Sequence, residues 1–149
     1  MIFYVRTISK SPKDTEDLAK KFLDGIFSSH SDKVVTVVGL HGDLGSGKTA
    51  FTKCIAKLLG INETVTSPTF VIEKIYSLKG QPFERLIHID AYRLESGKEL
   101  LHLEWKEICA DPKNLILIEW PENVADVMPE NYIKINFEFV DEATRKMEF

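Results

Sequence analysis

The sequence has few cysteines and no apolar run long enough to cross a membrane. Its two cysteines, Cys54 and Cys109, lie at apolar positions of predicted helices, so we expect buried, free thiols rather than a disulfide. A membrane helix needs about 20 consecutive apolar residues, and the sequence contains no such stretch. The amino-terminal residues also lack the basic start and apolar centre of a secretory signal. We therefore expect a soluble, cytoplasmic protein with no membrane partner.

Positive charge is neither abundant nor clustered. The 19 lysines and arginines are outnumbered by 23 aspartates and glutamates, which gives a net charge of −4. A protein that binds nucleic acid tightly on its own needs a basic surface to neutralise phosphates. We therefore expect no DNA binding and no tight direct binding to RNA. The length of 149 residues predicts a single domain, residues 1–149, without a separate substrate domain.

The strongest motif is the segment Gly42–Thr49, which matches G-x-x-x-x-G-K-[ST] at every fixed position. Such a loop needs glycines because its backbone must curl until consecutive N–H groups point at phosphate oxygens. Lys48 adds positive charge over the β- and γ-phosphates, and the Thr49 hydroxyl is placed to ligate Mg²⁺. The predicted phosphate-binding residues are Asp43, Leu44, Gly45, Ser46, Gly47, Lys48 and Thr49.

The residues around this motif predict the strand, loop and helix that it requires. The β-branched run Val34–Leu40 is typical of a buried strand, and apolar residues at helical spacing follow the loop as far as Gly60. A rival dinucleotide fingerprint, Gly45-x-Gly47-x-x-Ala50, also fits. In that fold, however, the first glycine directly follows the strand, and an acidic residue ends the next strand about twenty residues later. Neither feature occurs here, which favours the phosphate loop.

The remaining elements predict an α/β fold. Ser11 and Pro12 are expected to open a helix as its N-cap and first residue, and the capping box Ser96–Glu99 predicts another helix that runs to about Cys109. Strands are expected at residues 2–8, at 70–76 and 85–90 as a hairpin, at 115–119, and at 132–140 and 145–149 as a closing hairpin. We predict a P-loop NTPase-like fold of three layers, with a central, mostly parallel sheet, helices on both faces and antiparallel edge strands.

Two predicted strands end in a carboxylate after a buried run, one at Asp90 and the other at Glu119. Phosphoryl-transfer sites use a carboxylate on a neighbouring strand to hold Mg²⁺ and another group to orient the attacking nucleophile. Asp90 and Glu119 can divide these tasks, and together with Lys48 they are the predicted catalytic residues. His88 shares the predicted face of Asp90, but a single histidine in a strand is usually structural, so it is not included.

Three further positions are weaker candidates. The polar connection at residues 60–69 ends in Ser67-Pro68-Thr69, which could fold over the γ-phosphate as a switch or could simply turn into the next strand. The polar start of the first helix, at Ser11, could lie beside the nucleotide or merely pack on the sheet. Glu122 is also assigned to nucleotide binding, whereas Trp120 is expected to pack in the core or at its rim.

The nucleotide is expected to be ATP. Guanine recognition typically uses an N-K-x-D element and a D-x-x-G switch, and neither string occurs in the sequence. Because a phosphate loop binds its nucleotide together with Mg²⁺, the predicted cofactors are ATP and Mg²⁺.

Four linked motifs resemble the TsaE (YjeE) family over about residues 11 to 135, and they are Gly42–Thr49, Ser67–Phe70, His88–Leu94 and Ile118–Glu122. The resemblance implies a bacterial P-loop ATPase required, with the TsaB and TsaD proteins, for threonylcarbamoylation of the adenosine beside the tRNA anticodon. It implies that Thr49 and Glu119 ligate Mg²⁺, that Asp90 supports hydrolysis, and that Ser67–Thr69 is the switch. The acidic balance of the chain indicates that tRNA is reached only indirectly, through the TsaB–TsaD complex that the resemblance names as partner. Ala50 departs from the family, because many members have a second threonine there.

Two other functions remain open. The same loop could serve a small-molecule kinase, although such an enzyme usually has a lid with several arginines, and the chain has only Arg6, Arg85, Arg93 and Arg145, widely spaced. The chain could also sense a nucleotide without hydrolysing it. The favoured prediction is an ATPase that is slow alone and stimulated by a partner, because no arginine is evident that would stabilise the transition state.

Overall fold

A computed structural model describes residues 6–63, 65 and 72–149 of the chain. Within these residues, one sheet contains the strands β1 (Arg6–Ser9), β2 (Thr36–His41), β3 (Glu73–Ser77), β4 (Arg85–Asp90), β5 (Asn114–Glu119), β6 (Ile133–Asp141) and β7 (Thr144–Glu148). The helices are α1 (Pro12–Ser29), α2 (Lys48–Leu58), α3 (Lys98–Leu101) and α4 (Trp105–Ala110), and a 3₁₀ segment spans Pro121–Val127. In this described part of the chain, no helix is long and apolar enough to cross a bilayer.

The centre of the sheet is parallel and its edges are antiparallel, as predicted. The strand order is β1-β7-β6-β2-β5-β4-β3. The strand β2 runs parallel to β5 and β6, and β4 runs parallel to β5, whereas β3 and β7 are antiparallel to β4 and β6. A parallel strand covered on both faces is continuously apolar. Accordingly, Leu115, Ile116, Leu117 and Ile118 of β5 are fully buried.

Helices cover both faces of the sheet, which gives the predicted three layers. Successive strand residues point to opposite faces. Leu117 and its alternating neighbours pack against α1 and α2, where Phe22 and Phe51 meet edge to face with 5.6 Å between ring centroids. Ile116 packs on the other side with Trp105, in the layer formed by α3, α4 and the 3₁₀ segment.

Several predicted local elements are confirmed. Ser11 caps α1 because its hydroxyl accepts the Asp14 N–H at 3.1 Å. The strands β3 and β4 form the predicted hairpin, and β6 and β7 form the closing one. Of the predicted strand 2–8, the structure describes residues 6–8, which lie in β1 (Arg6–Ser9), and residues 1–5 fall outside the described part of the chain.

The prediction of one helix from the capping box Ser96–Glu99 to Cys109 is wrong. The chain forms two short helices, α3 and α4, interrupted at Glu104, which has a φ of +61°. Gly97, not Ser96, occupies the N-cap position of α3, and no side chain caps that helix.

Tertiary contacts of this segment override the local helical pattern. The Gly97 N–H donates to Asp126 Oδ1 at 2.9 Å, and Trp105 Nε1 donates to the Val127 carbonyl at 3.0 Å. Leu101 lies four residues before Trp105, on the face that a continuous helix would bury, yet it is 42% exposed. Both hydrogen bonds, together with the close packing of Gly97 on Val127, hold the segment against the 3₁₀ region as two short helices.

The two cysteines are free thiols, as predicted, but they are half-buried rather than buried. Burial raises the pKa of Cys54, and it raises the pKa of Cys109 to about 11. A thiol with a raised pKa is a poor nucleophile at neutral pH. Neither cysteine is therefore a candidate for catalysis.

Candidate nucleotide-binding site

The carboxyl ends of the parallel strands bring the predicted site residues to one edge of the sheet. The register of β4 and β5 places Asp90 beside Glu119, and the register of β2 and β5 places Leu40 beside Glu119. The phosphate loop leaves β2 at this same edge, directly after His41. Ligands of open α/β sheets bind outside the carboxyl ends of the strands, so this edge is the candidate site.

The phosphate loop adopts backbone conformations that favour glycine. Gly42 has a φ of +147° and Gly47 a φ of +107°. A Cβ on Gly42 would lie only 2.6 Å from the Phe137 carbonyl oxygen, so β6 leaves no room for a side chain there. The Ser46 N–H donates to the Asp43 carbonyl at 3.1 Å and closes the loop on itself.

The amino end of α2 is open to an anion. Gly47 precedes the helix without a side-chain cap, and the first turn contains no acidic residue. The first N–H groups of a helix have no partner within it and carry the positive end of its dipole. The Ser46 hydroxyl is also buried without a hydrogen-bond partner among the described residues. Unpaired polar groups of this kind fit the oxygens of a bound phosphate.

Lys48 is buried, and its ammonium is held by the loop itself. The Nζ atom donates to the carbonyls of Gly42 and Asp43, the latter at 3.0 Å, and lies 4.3 Å from the ring centroid of Trp120. Burial lowers the pKa of Lys48, and nearby carboxylates, led by that of Glu119, oppose this shift. Phosphate oxygens would give the ammonium charged partners in place of neutral carbonyls.

Thr49 and Glu119 form an oxygen pair next to Lys48. Thr49 Oγ1, in the first turn of α2, donates to Glu119 Oε1 at 3.2 Å. Mg²⁺ prefers oxygen ligands and usually keeps several waters beside one or two protein groups and the phosphates. Among the described residues, no group of three or more His, Cys, Asp or Glu side chains could hold a metal. The pair therefore fits an Mg²⁺ ion that enters with a nucleotide and keeps several of its waters.

The second oxygen of Glu119 contacts His88, which the sequence did not predict as a site residue. His88 Nε2 lies 2.8 Å from Glu119 Oε2, and the His88 side chain is completely buried. The available signal was its alternation with Asp90 on one strand face. The contact itself depends on the β4–β5 register, which the sequence does not reveal.

Asp90 lies at the end of β4, beside Glu119 of the Thr49–Glu119 pair. Its carboxylate Oδ1 accepts the Tyr92 N–H at 3.0 Å, and the residue is only 6% exposed. The Tyr92 ring packs against Trp120 with 5.2 Å between centroids. Asp90 is thus held close to the loop by the turn that follows its own strand.

Glu122 approaches the phosphate loop through His41. Its Oε2 lies 2.7 Å from His41 Nδ1, and His41 Nε2 lies 2.9 Å from the Tyr132 hydroxyl. Burial lowers the pKa of His41, and the Glu122 carboxylate opposes the shift. The Glu122 side chain stays 43% exposed. It is therefore accessible from the rim of the loop.

The β1 side of the sheet contributes Ser11 and Arg145 to the same edge. Ser11 follows β1, whose carboxyl end lies at the phosphate-loop edge, but its hydroxyl serves as the α1 cap. Arg145 pairs with Ser9 across β1 and β7, and a Cβ on Gly47 would lie 3.5 Å from Arg145 Cγ. Its guanidinium donates to carbonyls of its own hairpin, including that of Thr144 at 3.1 Å. The arginines are widely spaced in the sequence, yet the sheet order brings Arg145 to the loop.

For two predicted parts of the nucleotide site, the switch segment and Leu44, the structure gives no side-chain contact among the described residues that supports the assignment. The switch segment Ser67-Pro68-Thr69 lies outside the described residues, so that assignment stays a prediction. Leu44 is 67% exposed at the tip of the loop. Its part in binding would therefore come from its backbone.

Comparison with known proteins identifies the family. A sequence model described as "Threonylcarbamoyl adenosine biosynthesis protein TsaE" matches residues 9–147. Proteins named tRNA threonylcarbamoyladenosine biosynthesis protein TsaE from Rickettsia bellii and Bacillus subtilis are each 35% identical, with alignments that cover 94% and 97% of this chain and 90% and 82% of theirs. The crystal structure of Bacillus subtilis YdiB matches with a TM-score of 0.68 and 28% identity over 100% of this chain and 86% of that one. The chain therefore belongs to the TsaE family of threonylcarbamoyl adenosine biosynthesis proteins.

Proposed function

We propose that this chain is a cytoplasmic, Mg²⁺-dependent ATPase that assists threonylcarbamoylation of tRNA. The observation that carries the proposal is the convergence of Lys48, Thr49, Glu119 and Asp90 at one sheet edge. Membership of the TsaE family supports the biosynthetic role, since relatives covering most of the chain are named for it. The whole chain, residues 1–149, would act as one ATPase domain.

The loop is proposed to bind the triphosphate of ATP. Its N–H groups and the open end of α2 supply donors, and Lys48 supplies a buried positive charge. A buried cation gains from a charged partner, so phosphate binding would offset the desolvation that lowers the pKa of Lys48. ATP rather than GTP is proposed because the sequence lacks both guanine-recognition strings.

Thr49 and Glu119 would hold Mg²⁺, which would neutralise charge on the phosphates. Asp90 is proposed to orient the attacking water, because it lies beside Glu119 at the end of the neighbouring strand and its turn fixes its carboxylate. Orienting a nucleophile contributes mainly in the transition state. The two carboxylates would thus serve binding and chemistry separately.

Full activity is proposed to require the TsaB–TsaD complex. The Arg145 guanidinium is engaged by carbonyls of its own hairpin, so additional positive charge would have to come from a partner or from rearrangement. An arginine supplied by a partner can raise the rate by about 10³ to 10⁵. The net charge of −4 agrees with contact to tRNA through that complex rather than directly.

Phosphate release from ATP tests the proposal. The purified chain is assayed alone and with TsaB and TsaD, in Mg²⁺ and in EDTA, beside the Lys48→Ala variant. We expect slow, Mg²⁺-dependent release that the complex stimulates and that the variant lacks. Absence of stimulation together with absence of nucleotide-dependent association would contradict the partner assignment. Phosphate transfer to a small acceptor would establish a kinase, and ATP binding without turnover would establish a nucleotide sensor.

A further inference from the structure

The two oxygens of the Glu119 carboxylate have different partners. Oε1 accepts a hydrogen bond from Thr49 Oγ1 at 3.2 Å, on the side of the phosphate loop. Oε2 lies 2.8 Å from His88 Nε2, on the side of β4. Because an ionised carboxylate can only accept, the imidazole donates from Nε2. His88 therefore contacts the carboxylate oxygen that does not face Thr49.

The His88 side chain is completely buried although it is polar. It is 0% exposed, and its Nδ1 has no hydrogen-bond partner among the described residues. Burial of an unpaired polar nitrogen is unfavourable, and an apolar side chain at this position would avoid it. Two neighbouring positions on the same face of the sheet carry apolar side chains, since Leu86 of β4 and Leu117 of β5 pack in the core. The Glu119 contact is therefore the feature that distinguishes His88 from a packing residue.

Without this contact, the Glu119 carboxylate would have a competing partner. Lys48 is close enough for its charge to interact with Glu119, and the two attract each other. A carboxylate that turned toward the ammonium would occupy the cation that the phosphates need. A donor on Oε2 opposes that movement because it fixes the rotation of the carboxylate.

From this geometry we propose that His88 is a positioning residue that holds Glu119 in the orientation required for Mg²⁺ binding beside Thr49. The inference rests on the proposed Mg²⁺–ATP function of the site. His88 itself touches neither the metal nor the nucleotide in this proposal. It acts through Glu119, as outer partners of metal ligands commonly do, and loss of such partners typically weakens metal binding by about 10- to 100-fold.

The test separates metal binding from nucleotide binding. Mn²⁺ affinity is measured by electron paramagnetic resonance in the presence of a non-hydrolysable ATP analogue, and affinity for the analogue is measured in EDTA. For His88→Leu we expect Mn²⁺ affinity to fall by at least about tenfold, while analogue affinity without metal stays within about twofold of the original chain. For His88→Gln we expect recovery to within about threefold, because a glutamine amide reaches about as far as imidazole Nε2.

Two further variants control for folding. His30→Leu also removes a largely buried imidazole, but His30 packs on Phe83 away from the phosphate-loop edge, so its Mn²⁺ affinity should be unchanged. If His88→Leu does not fold, His88→Gln and His88→Asn decide the matter. The asparagine amide reaches only as far as Nδ1, so we expect the metal defect in His88→Asn alone.

The outcomes distinguish this inference from the function on which it rests. Equal Mn²⁺ affinity in His88→Asn and His88→Gln, or an equal loss of analogue affinity with and without metal, would overturn the positioning role while leaving the nucleotide site intact. Failure of the unaltered chain to bind the analogue at all would overturn both.

Discussion

Gly42→Ala is a test of the phosphate-loop geometry. A Cβ at position 42 would lie 2.6 Å from the Phe137 carbonyl oxygen and 2.7 Å from Ser46 Oγ, and the φ of +147° is one that alanine rarely adopts. Backbone strain of this kind costs about 1–3 kcal/mol, and overpacking against a fixed backbone atom costs a similar amount. Allowing for partial relaxation, we expect the free energy of unfolding to fall by about 2–4 kcal/mol.

The same substitution should also impair nucleotide binding. The loop can relieve the contact with Phe137 only by moving away from β6, which changes the direction of its N–H groups. We therefore expect ATP affinity, measured by titration calorimetry with Mg²⁺, to fall by at least about tenfold, or about 1.4 kcal/mol. Urea unfolding followed by circular dichroism gives the stability change.

Gly60→Ala is the matched control. Gly60 has a φ of +84°, but nothing lies within 4 Å of a Cβ placed there. Gly60→Ala should therefore cause only backbone strain, which lowers the free energy of unfolding by about 1–2 kcal/mol, and ATP affinity should not change. Equal stability of Gly42→Ala and Gly60→Ala, together with normal ATP binding by Gly42→Ala, would refute the close contact between the loop and β6.

Three further predictions concern individual side chains. Lys48→Ala should lower ATP affinity or hydrolysis by at least about tenfold, and unchanged titration together with unchanged turnover would contradict the role of the ammonium. Glu119→Gln should weaken Mg²⁺-dependent ATP binding, whereas Asp90→Asn should leave ATP bound and slow its hydrolysis; normal kinetics in both would remove the carboxylate assignments. Cys109 should react with iodoacetamide about a hundredfold more slowly than an ordinary thiol at pH 8, as measured by mass spectrometry. Its labelling rate should increase as the pH rises toward its pKa of about 11. A rate like that of free cysteine would contradict the burial of this thiol.

Much of the site was predictable because its parts are local patterns that a parallel sheet brings together. The loop Gly42–Thr49 is continuous in sequence, and each acidic strand end follows a recognisable apolar run. Once the strands are taken as parallel neighbours, their carboxyl ends meet at one edge of the sheet, and the observed register places Asp90 beside Glu119.

His88 and Arg145 were missed because their contacts depend on pairing between distant strands. The partner of His88 lies on β5, and only the β4–β5 register shows that the imidazole reaches Glu119. Arg145 reaches Gly47 because β6 lies next to β2 in the sheet and β7 lies next to β6. Local sequence contains neither fact.

The helix prediction at Ser96–Glu99 failed for the opposite reason, since a good local signal lost to tertiary structure. A Cβ on Gly97 would lie 2.3 Å from Val127 Cγ1, so this glycine is needed for close packing against the 3₁₀ segment. Capping energies of about 1 kcal/mol are too small to outweigh such packing together with the hydrogen bond from Gly97 to Asp126.

The most direct test of the proposed function is the threonylcarbamoyladenosine content of cellular tRNA. Bacillus subtilis contains a TsaE protein that is 35% identical to this chain over 97% of this chain's residues. Bacillus subtilis cells depleted of their own TsaE protein are therefore a suitable host. Digested tRNA is analysed by mass spectrometry after expression of this chain or of its Lys48→Ala variant. We expect that the chain restores the modification and that Lys48→Ala, expressed to the same level, does not. Restoration by both, or by neither although the chain is folded, would contradict the proposed function.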